Sequence, residues 1–426
     1  MNKQCILLSI IVILLLITNQ EVDACSGYKI TIGDKTILGS NEDAWRTTPH
    51  VWFEVANTTN KYGAAFTGSR FDGKNGYAPQ SGMNETGLAF ERLAAYHPVS
   101  SNKTKGIQIN NATAHLKNIL HQCQTVEEVQ SYINKFDYSL FIEDIFFYVD
   151  KNGKYLIVEP YCNFIGNDQT YVVSNFCPSI TPTESALKIN RYRKGINQLK
   201  KNIDTSDIFC KELSDSMHVC RNKIGDGTLL TSIWDLKNKK ITLYFYHNYQ
   251  SKVEFILSKE LTKGNHILAI DCLFPKNIEF LKLKHYHTAK NSIPIATTLI
   301  ILCILLLVCS IYLLKQVTKN DIHLKQKAVH ALLAVFNLLQ CCYLYFLFTN
   351  VNVYYFPAPY KTENILYSLL AYIPNLMLFA ILPILYFILS IIRHATNKLK
   401  KVIFSINIIC YSILLGLYYY WYLFAF

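Results

Sequence analysis

The sequence predicts a layered α+β domain followed by an all-α membrane domain of four transmembrane helices. Three features predict this arrangement: an apolar leader before residue 25, strand hairpins at both ends of residues 25–290 with helical segments clustered between them, and long apolar stretches after residue 290. Strands and helices that are grouped rather than alternating are typical of layered α+β folds, not of βαβ folds. At 426 residues, the chain is long enough for more than one domain.

Residues 1–24 have the pattern of a secretory signal peptide. Lys3 precedes an uncharged apolar run over residues 6–17, and the segment ends in Val22-Asp23-Ala24. The run is shorter than the about 20 apolar residues of a membrane span, which argues against an uncleaved anchor helix. A small residue at the last position suits signal peptidase. We therefore expect cleavage after Ala24, so that the mature chain begins with Cys25.

The outer domain, residues 25–290, begins and ends with predicted strands. Hairpins are predicted in YKITIGD/KTILGSN, DIFFYVD/KYLIVEP and TLLTSIWDL/KKITLYFYH, and single strands in HVWFEVA, YGAAFTG, GLAFERLA and TYVVSN. Apolar residues recur at helical spacing in NNATAHLKNILHQCQTVEEVQSYINKF and in TESALKINRYRKGINQLKKN. This order predicts sheets that are covered by helices.

Residues 291–426 are predicted to form the membrane domain. Its apolar stretches lack Asp, Glu, Lys and Arg, and each reaches spanning length; they are Ile293–Leu314, Ala328–Phe348, Ile365–Ile392 and Val402–Phe426. Lys and Arg cluster after the first and third stretches, and positive loops stay in the cytoplasm. The outer domain is then extracytoplasmic, as the leader also requires. Polar residues within the stretches, such as Asn337 and Gln340, are expected to make interhelical hydrogen bonds.

Composition excludes some classes of partner and cofactor. The net charge of +12 does not indicate nucleic acid, because part of it lies in cytoplasmic loops and the outer domain faces away from the cytoplasm. No CxxC motif and no Cys/His cluster with zinc spacing is present, so neither a metal nor another cofactor is predicted. Disulfides are permitted in an exported domain, but 6 cysteines allow 15 pairings and the sequence favours none. These cysteines are Cys123, Cys162, Cys177, Cys210, Cys220 and Cys272.

An N-terminal Cys25 would carry a thiol and an α-amine on one residue. The amine of a chain terminus has an unperturbed pKa of about 7.7 to 8.0, so near neutrality much of it is an unprotonated base. It can take the thiol proton directly or through one water, which activates a nucleophile without a histidine. Signal-peptide removal would therefore create a catalytic group.

Five segments follow one another in a fixed order: Cys25 with GSNEDAW, then SGMNETGLAF, YVVSNFCP, INRYRKG and TLLTSIWDLKNKKITLYFYHNYQ. Together they resemble the N-terminal-nucleophile (Ntn) hydrolases of the choloylglycine hydrolase, penicillin V acylase and acid ceramidase group, and most closely its linear-amide C–N hydrolase branch. Cys25 is followed by GSNEDAW, in which Asp43 matches the aspartate that holds the nucleophile's amine. SGMNETGLAF and YVVSNFCP place Asn84 and Asn175 at the positions of the oxyanion-hole asparagines. INRYRKG makes Arg191 the match for the active-site arginine, with Arg193 as its rival, and TLLTSIWDLKNKKITLYFYHNYQ is similar to the closing hairpin.

The resemblance implies a four-layer αββα sandwich and an amidohydrolase that attacks a linear, non-peptide amide through a thioester. The implied substrate is an N-acylated small molecule or lipid, and no cofactor is implied. Ser40 stands where bile-salt hydrolases have an arginine, so bile-salt specificity does not follow. The resemblance says nothing about the apolar tail or the oligomeric state.

Other interpretations remain open from the residues alone. Residues 22–25 also match a bacterial lipobox, which would lipidate Cys25 and leave a membrane-anchored binding module or sensor. Asn84 lies in an ordinary turn composition and within a glycosylation sequon, and Arg191 could be a solvated helix residue. A Cys-His pair using His50, His97 or His121 has no local motif to support it.

Overall fold

The computed structural model describes residues 25–43, 47–100, 106–221, 226–284, 287–319, 322–349, 354, 369–370, 372–378, 398–421 and 423–424. The predicted signal peptide lies outside these residues. The described part divides into two compact units, one within Asp23–Tyr286 and one within His287–Phe426.

The described residues of the first unit form many short strands and seven helices. The strands are β1 (Ser26–Ile32), β2 (Lys35–Glu42), β3 (His50–Glu54), β4 (Ala64–Gly68), β5 (Arg70–Phe71), β6 (Tyr77–Ala78), β7 (Ser81–Asn84), β8 (Ala89–Ala94), β9 (Ile107–Gln108), β10 (Phe136–Asp137), β11 (Asp144–Val149), β12 (Tyr155–Val158), β13 (Asn163–Gly166), β14 (Thr170–Val173), β15 (Cys220–Arg221), β16 (Asp226–Gly227), β17 (Leu230–Asp235), β18 (Lys240–Phe245), β19 (Asn248–Ile256) and β20 (His266–Ala269). The helices are α1 (Ala112–Gln122), α2 (Val126–Ile133), α3 (Thr183–Ala186), α4 (Asn190–Lys201), α5 (Asp207–Met217), α6 (Leu257–Leu261) and α7 (Ile278–Lys284). Short 3-10 turns occur at Gly73–Asn75, Tyr138–Phe141 and Ile270–Cys272.

Two antiparallel sheets lie at the centre of this unit. The smaller sheet has the strand order β14-β1-β2-β17-β18-β19, and the larger has the order β13-β12-β11-β8-β7-β4-β3-β20. The three hairpins predicted from the sequence pair as β1/β2, β11/β12 and β17/β18, which confirms them. Strands β1 and β2 lie in the interior of the smaller sheet, where each has a partner on both sides.

Alternation along the strands builds three apolar layers. One face of each sheet contributes to a common core that includes Leu38, Met83, Phe147 and Trp234. The other face of the larger sheet packs against α1 and α2, and the other face of the smaller sheet packs against α4 and α5. Because side chains two residues apart share a face of a strand, each sheet can bury both of its faces. This confirms the predicted αββα sandwich.

The two predicted helical segments are each divided in the structure. Thr125 interrupts the first segment, and its hydroxyl accepts a hydrogen bond from the backbone amide of Glu128, so it starts α2 as an N-cap. The second segment divides into α3 and α4. Helix α5 was not predicted, although Ser206 provides a comparable N-cap signal by accepting a bond from the amide of Phe209.

The second unit contains α8 (Ile293–Val317), α9 (Leu324–Thr349) and α10 (Lys398–Tyr420). These three described helices are long and apolar enough to cross a membrane, and they coincide with the first, second and fourth predicted spans. Most of the third predicted span, Ile365–Ile392, lies outside the described residues. Asn337 Nδ2 donates to Asn407 Oδ1 at 2.8 Å, and the Tyr418 hydroxyl donates to Gln340 Oε1 at 2.9 Å, so the expected interhelical hydrogen bonds are present.

Candidate active site

Cys25 immediately precedes β1, at the edge of the smaller sheet where the neighbouring strands β2 and β14 end. Gly27 pairs with Val173 of β14 on one side and with Ser40 of β2 on the other. Extending both registers by two residues places Cys25 between residues 175 and 42. Its side chain belongs to the core between the sheets and is 6% exposed.

Asp43 lies next to Cys25. It follows the last residue of β2, and the extended register puts it beyond Glu42, on the side of the Cys25 nitrogen. Its backbone amide donates a hydrogen bond to the Cys25 sulfur. Its carboxylate is 7% exposed, and Oδ1 accepts from the Thr228 hydroxyl at 2.6 Å.

Asn175 and Arg191 form a connected pair on the opposite side of Cys25. The guanidinium of Arg191 donates to Asn175 Oδ1 and, at 2.9 Å through Nε, to the Ser174 hydroxyl. Asn175 Nδ2 donates to the Ala94 carbonyl at 2.6 Å. Arg191 is 4% exposed, whereas the rival Arg193 is exposed and bonds Asn190 of its own helix. Of the two arginines, Arg191 is therefore the one bonded to Asn175, and its guanidinium orients the Asn175 amide.

Asn84 has a different place from the one that the resemblance implies. Its amide donates at 2.7 Å to the carbonyls of both Leu120 and Cys123, next to helix α1 on the outer face of the larger sheet. Its Oδ1 accepts from the Thr86 amide and hydroxyl and from the Leu88 amide. An amide group has two N–H donors, so neither remains for an oxyanion. The structure thus corrects this assignment: Asn84 holds a buried turn against α1.

Two buried glutamates near Cys25 were not predicted. The Ser69 hydroxyl donates to Glu42 Oε1 at 2.6 Å, but Glu42 Oε2 has no partner within the described part of the chain. Neither oxygen of Glu91 has a hydrogen-bond partner among the same residues, and Oε2 would lie 1.6 Å from a Cβ on Gly27, so a larger residue there would displace the carboxyl group. The available signal for Glu91 was its alternation with Ala89 and Leu93, which places a charged residue at an inward position.

These acids and their burial control the electrostatics of the site. Burial raises the pKa of the Cys25 thiol far above its usual value, the charges of Asp43, Glu42 and Glu91 raise it further, and the hydrogen bond from the Asp43 amide lowers it. Burial also raises the pKa of Glu42 to about 7 and that of Glu91 well above its ordinary 4.5. The nearby Ser40 hydroxyl lowers the Glu91 pKa only in part, and it makes no hydrogen bond of normal geometry to the carboxyl group. As long as residues 1–24 remain attached to Cys25, the thiol is therefore held protonated.

The family is shown by comparison with known proteins. The chain belongs to the acyl-coenzyme A:6-aminopenicillanic acid acyl-transferase family, whose model matches residues 31–250, just over half of the sequence. This is a family of the Ntn group, so the resemblance is confirmed. A search of curated proteins found no match.

Similar solved structures come from the same group. A variant of the conjugated bile acid hydrolase from Clostridium perfringens has 16% identity and a TM-score of 0.43, and the match covers 59% of this chain and 97% of that chain. Penicillin V acylase from Agrobacterium tumefaciens has 16% identity and a TM-score of 0.42, with 57% of this chain and 90% of that chain covered.

Proposed function

We propose that this protein is an amidohydrolase that cleaves a linear, non-peptide C–N bond of an N-acylated small molecule or lipid, with Cys25 as an N-terminal nucleophile. The observation that carries the proposal is the position of Asp43: it follows Glu42, which the β1/β2 register places opposite Cys25, and its charge acts on the Cys25 thiol. A carboxylate there would orient a free α-amine and help to set its pKa. The amine and thiol of Cys25 would then act as base and nucleophile.

The proposed reaction has two stages. In the first, the thiol proton passes to the α-amine, the sulfur attacks the carbonyl carbon, and the protonated amine returns the proton to the leaving nitrogen as the C–N bond breaks. This leaves a thioester on Cys25 and releases the amine product. In the second, the α-amine takes a proton from water, the hydroxide attacks the thioester, and the C–S bond breaks to release the acid and restore the thiol.

Asn175 supplies the side-chain donor for the negative oxygen formed in each stage. One of its amide hydrogens is bound to the Ala94 carbonyl, and within the described part of the chain the second has no acceptor. Arg191 fixes the amide by donating to Oδ1, so that the nitrogen rather than the oxygen faces the site. Preorganised donors of this kind stabilise an oxyanion without reorganising at the moment of reaction.

Lipid attachment at Cys25 is disfavoured by the fold. The side chain is a member of the core between the two sheets, with 6% exposure. A diacylglycerol on this sulfur would have to displace the core residues around it, and overpacking a core destabilises it. The non-catalytic binding module therefore has less support than the enzyme.

The apolar helices suggest that the enzyme binds its substrate at the membrane. We infer a multi-pass membrane protein whose hydrolase domain is extracytoplasmic, as the leader and the basic loops favour, and whose substrate is an amphipathic amide at the membrane. With the full-length protein in liposomes, long-chain acyl amides should be cleaved faster than short-chain analogues that share the same amine. Equal rates would remove the membrane from the proposal but leave the chemistry intact.

The first test is the mass of the N-terminal peptide of the protein extracted from membranes. A peptide that starts with unmodified Cys25 would support the mechanism, because thiol and amine would then both be free. A lipidated Cys25, or a chain that still carries residues 1–24, would contradict it, because neither form has a free amine on this residue.

A further inference from the structure

The Cys25 sulfur has a side-chain hydrogen-bond donor that no sequence motif indicates. Gln80 Nε2 lies 3.4 Å from Cys25 Sγ, in hydrogen-bonding geometry. Gln80 immediately precedes β7 of the larger sheet, whereas Cys25 precedes β1 of the smaller one. The contact therefore joins the two sheets at the proposed nucleophile.

The backbone of Gln80 is held on both sides. Its amide donates to the Thr67 carbonyl at 2.7 Å, and its carbonyl accepts from the Arg92 amide at 2.7 Å. The Arg92 side chain is in turn fixed by two bonds to Asp144, at 2.8 Å through Nε and 2.7 Å through Nη2. Bidentate Arg–carboxylate pairs are among the strongest and most directional contacts in proteins. The donor is thus attached to a rigid part of the sheet.

A second contact decides which end of the Gln80 amide faces the sulfur. Nε2 also donates to the Arg92 carbonyl, which can only accept a hydrogen bond. The nitrogen must therefore lie on this side, and the amide oxygen points away from Sγ. With one hydrogen on the Arg92 carbonyl, the other is directed to Cys25.

We propose that Gln80 positions the Cys25 sulfur and stabilises its thiolate during the reaction. The inference rests on the proposed function, because the sulfur carries negative charge only if Cys25 reacts. The thiolate would occur twice: before attack on the amide, and again when the C–S bond of the thioester breaks and its electron pair returns to sulfur. The charge of Asp43 opposes negative charge at this position, so a neutral N–H donor has a large relative effect.

The test measures alkylation of Cys25 by iodoacetamide in the full-length protein across a range of pH. Peptide mass spectrometry is needed to separate the reaction of buried Cys25 from that of the exposed Cys162 and Cys272. In Gln80→Met, which keeps the length but loses the donor, we expect alkylation near neutral pH to be about tenfold slower, with its pH midpoint shifted upwards. Gln122→Met is the matched control, because Gln122 also donates to a backbone carbonyl but at an exposed site.

Native alkylation rates at every pH in Gln80→Met would overturn the proposal. If circular dichroism shows that this variant is unfolded, Gln80→Glu provides the second test, because it is nearly isosteric and replaces the donor with an acceptor. It should react more slowly still, and a native rate would again contradict the role. If the native protein cleaves no amide but the Gln80 variants show these alkylation effects, the proposed function would be wrong and the role of Gln80 at the Cys25 sulfur would remain.

Discussion

Buried polar side chains differ in their hydrogen bonding between the two faces of the larger sheet. On the outer face, Asn84 is completely buried, yet it makes five hydrogen bonds that use both of its N–H groups. On the inner face, Glu91 is equally buried, and neither of its carboxyl oxygens has a partner in the described part of the chain. An unsatisfied buried carboxyl costs stability, whereas a satisfied amide does not.

This difference distinguishes polar residues that stabilise the fold from polar residues that are available for chemistry. A group with all its hydrogen bonds made within the protein has nothing left for a substrate, so Asn84 stabilises the fold. The groups between the sheets at Cys25 carry unused capacity and perturbed pKa values, which is typical of sites that do chemistry. The variants below should therefore divide into those that lose activity and those that lose stability.

Cys25→Ala should have the largest effect. Removal of the nucleophile should lower turnover of an acyl amide by a factor on the order of 10⁶, to the background rate. Unfolding should change little, because only one sulfur is lost. Cys123→Ala is the matched control: this thiol is also buried, but in the outer layer beside α1, and its loss should leave turnover unchanged. Residual turnover in Cys25→Ala well above the background would defeat the mechanism.

Asn175→Ala should reduce activity while the protein stays folded. Loss of one oxyanion donor typically costs about 10² to 10³ in kcat. The side chain is only half-buried, so we expect a minor change in the unfolding midpoint. Steady-state kinetics and thermal unfolding of the same preparation would check both points. A drop in stability with normal kcat would instead make Asn175 a structural residue like Asn84.

Asn84→Ala should show the reverse behaviour. It leaves the carbonyls of Leu120 and Cys123 and the amide of Leu88 without their side-chain partner, which should lower the free energy of unfolding by about 3 kcal/mol. The kcat of the molecules that remain folded should be native. Asn57→Ala is the control, because Asn57 Oδ1 also accepts three bonds but at an exposed turn. A large loss of kcat in Asn84→Ala would restore its oxyanion role.

The sequence predicted the sheets better than the helices. Hairpins such as β1/β2 and β17/β18 have local signals, namely two β-rich segments and a turn, and the structure confirms them. The segment around Thr125 has one continuous helical periodicity, and its division depends on a single capping hydroxyl. Helix α5 was missed, because its apolar side chains become recognisable only as a set that packs on the smaller sheet.

The proximity of two site residues was predictable where they are connected by strands that are neighbours in both sequence and sheet. Cys25 immediately precedes β1 and Asp43 immediately follows β2. Because these two strands pair with each other, a short-range motif was sufficient to place the two residues close together. Gln80 and Glu91 reach Cys25 from the other sheet, and their contacts depend on how the two sheets stack. Asn84 was misassigned because residues 84 and 91 alternate to opposite faces of the sheet, and a motif does not show which face looks towards the nucleophile.

Glu91→Gln should change the pH dependence of stability rather than turnover, and it tests the inner face directly. The folded-state pKa of Glu91 is raised above its unfolded value, so the native protein binds one more proton than the unfolded chain at intermediate pH. Stability is then greatest below the ordinary pKa of 4.5 and falls as pH rises, by at most about 1.4 kcal/mol per pH unit. Glu42, with a pKa raised to about 7, adds to this slope only up to that pH.

In Glu91→Gln, the unfolding free energy measured with urea should therefore decline less steeply between pH 5 and pH 8 than in the native protein, and the two curves should approach each other in acid. Glu184→Gln, at an exposed position, should reproduce the native pH dependence. An unchanged slope in Glu91→Gln would mean that Glu91 is charged in the folded protein. The inner face would then hold a stable carboxylate beside Cys25. The two faces of the sheet would differ in hydrogen bonding but not in the pKa of Glu91.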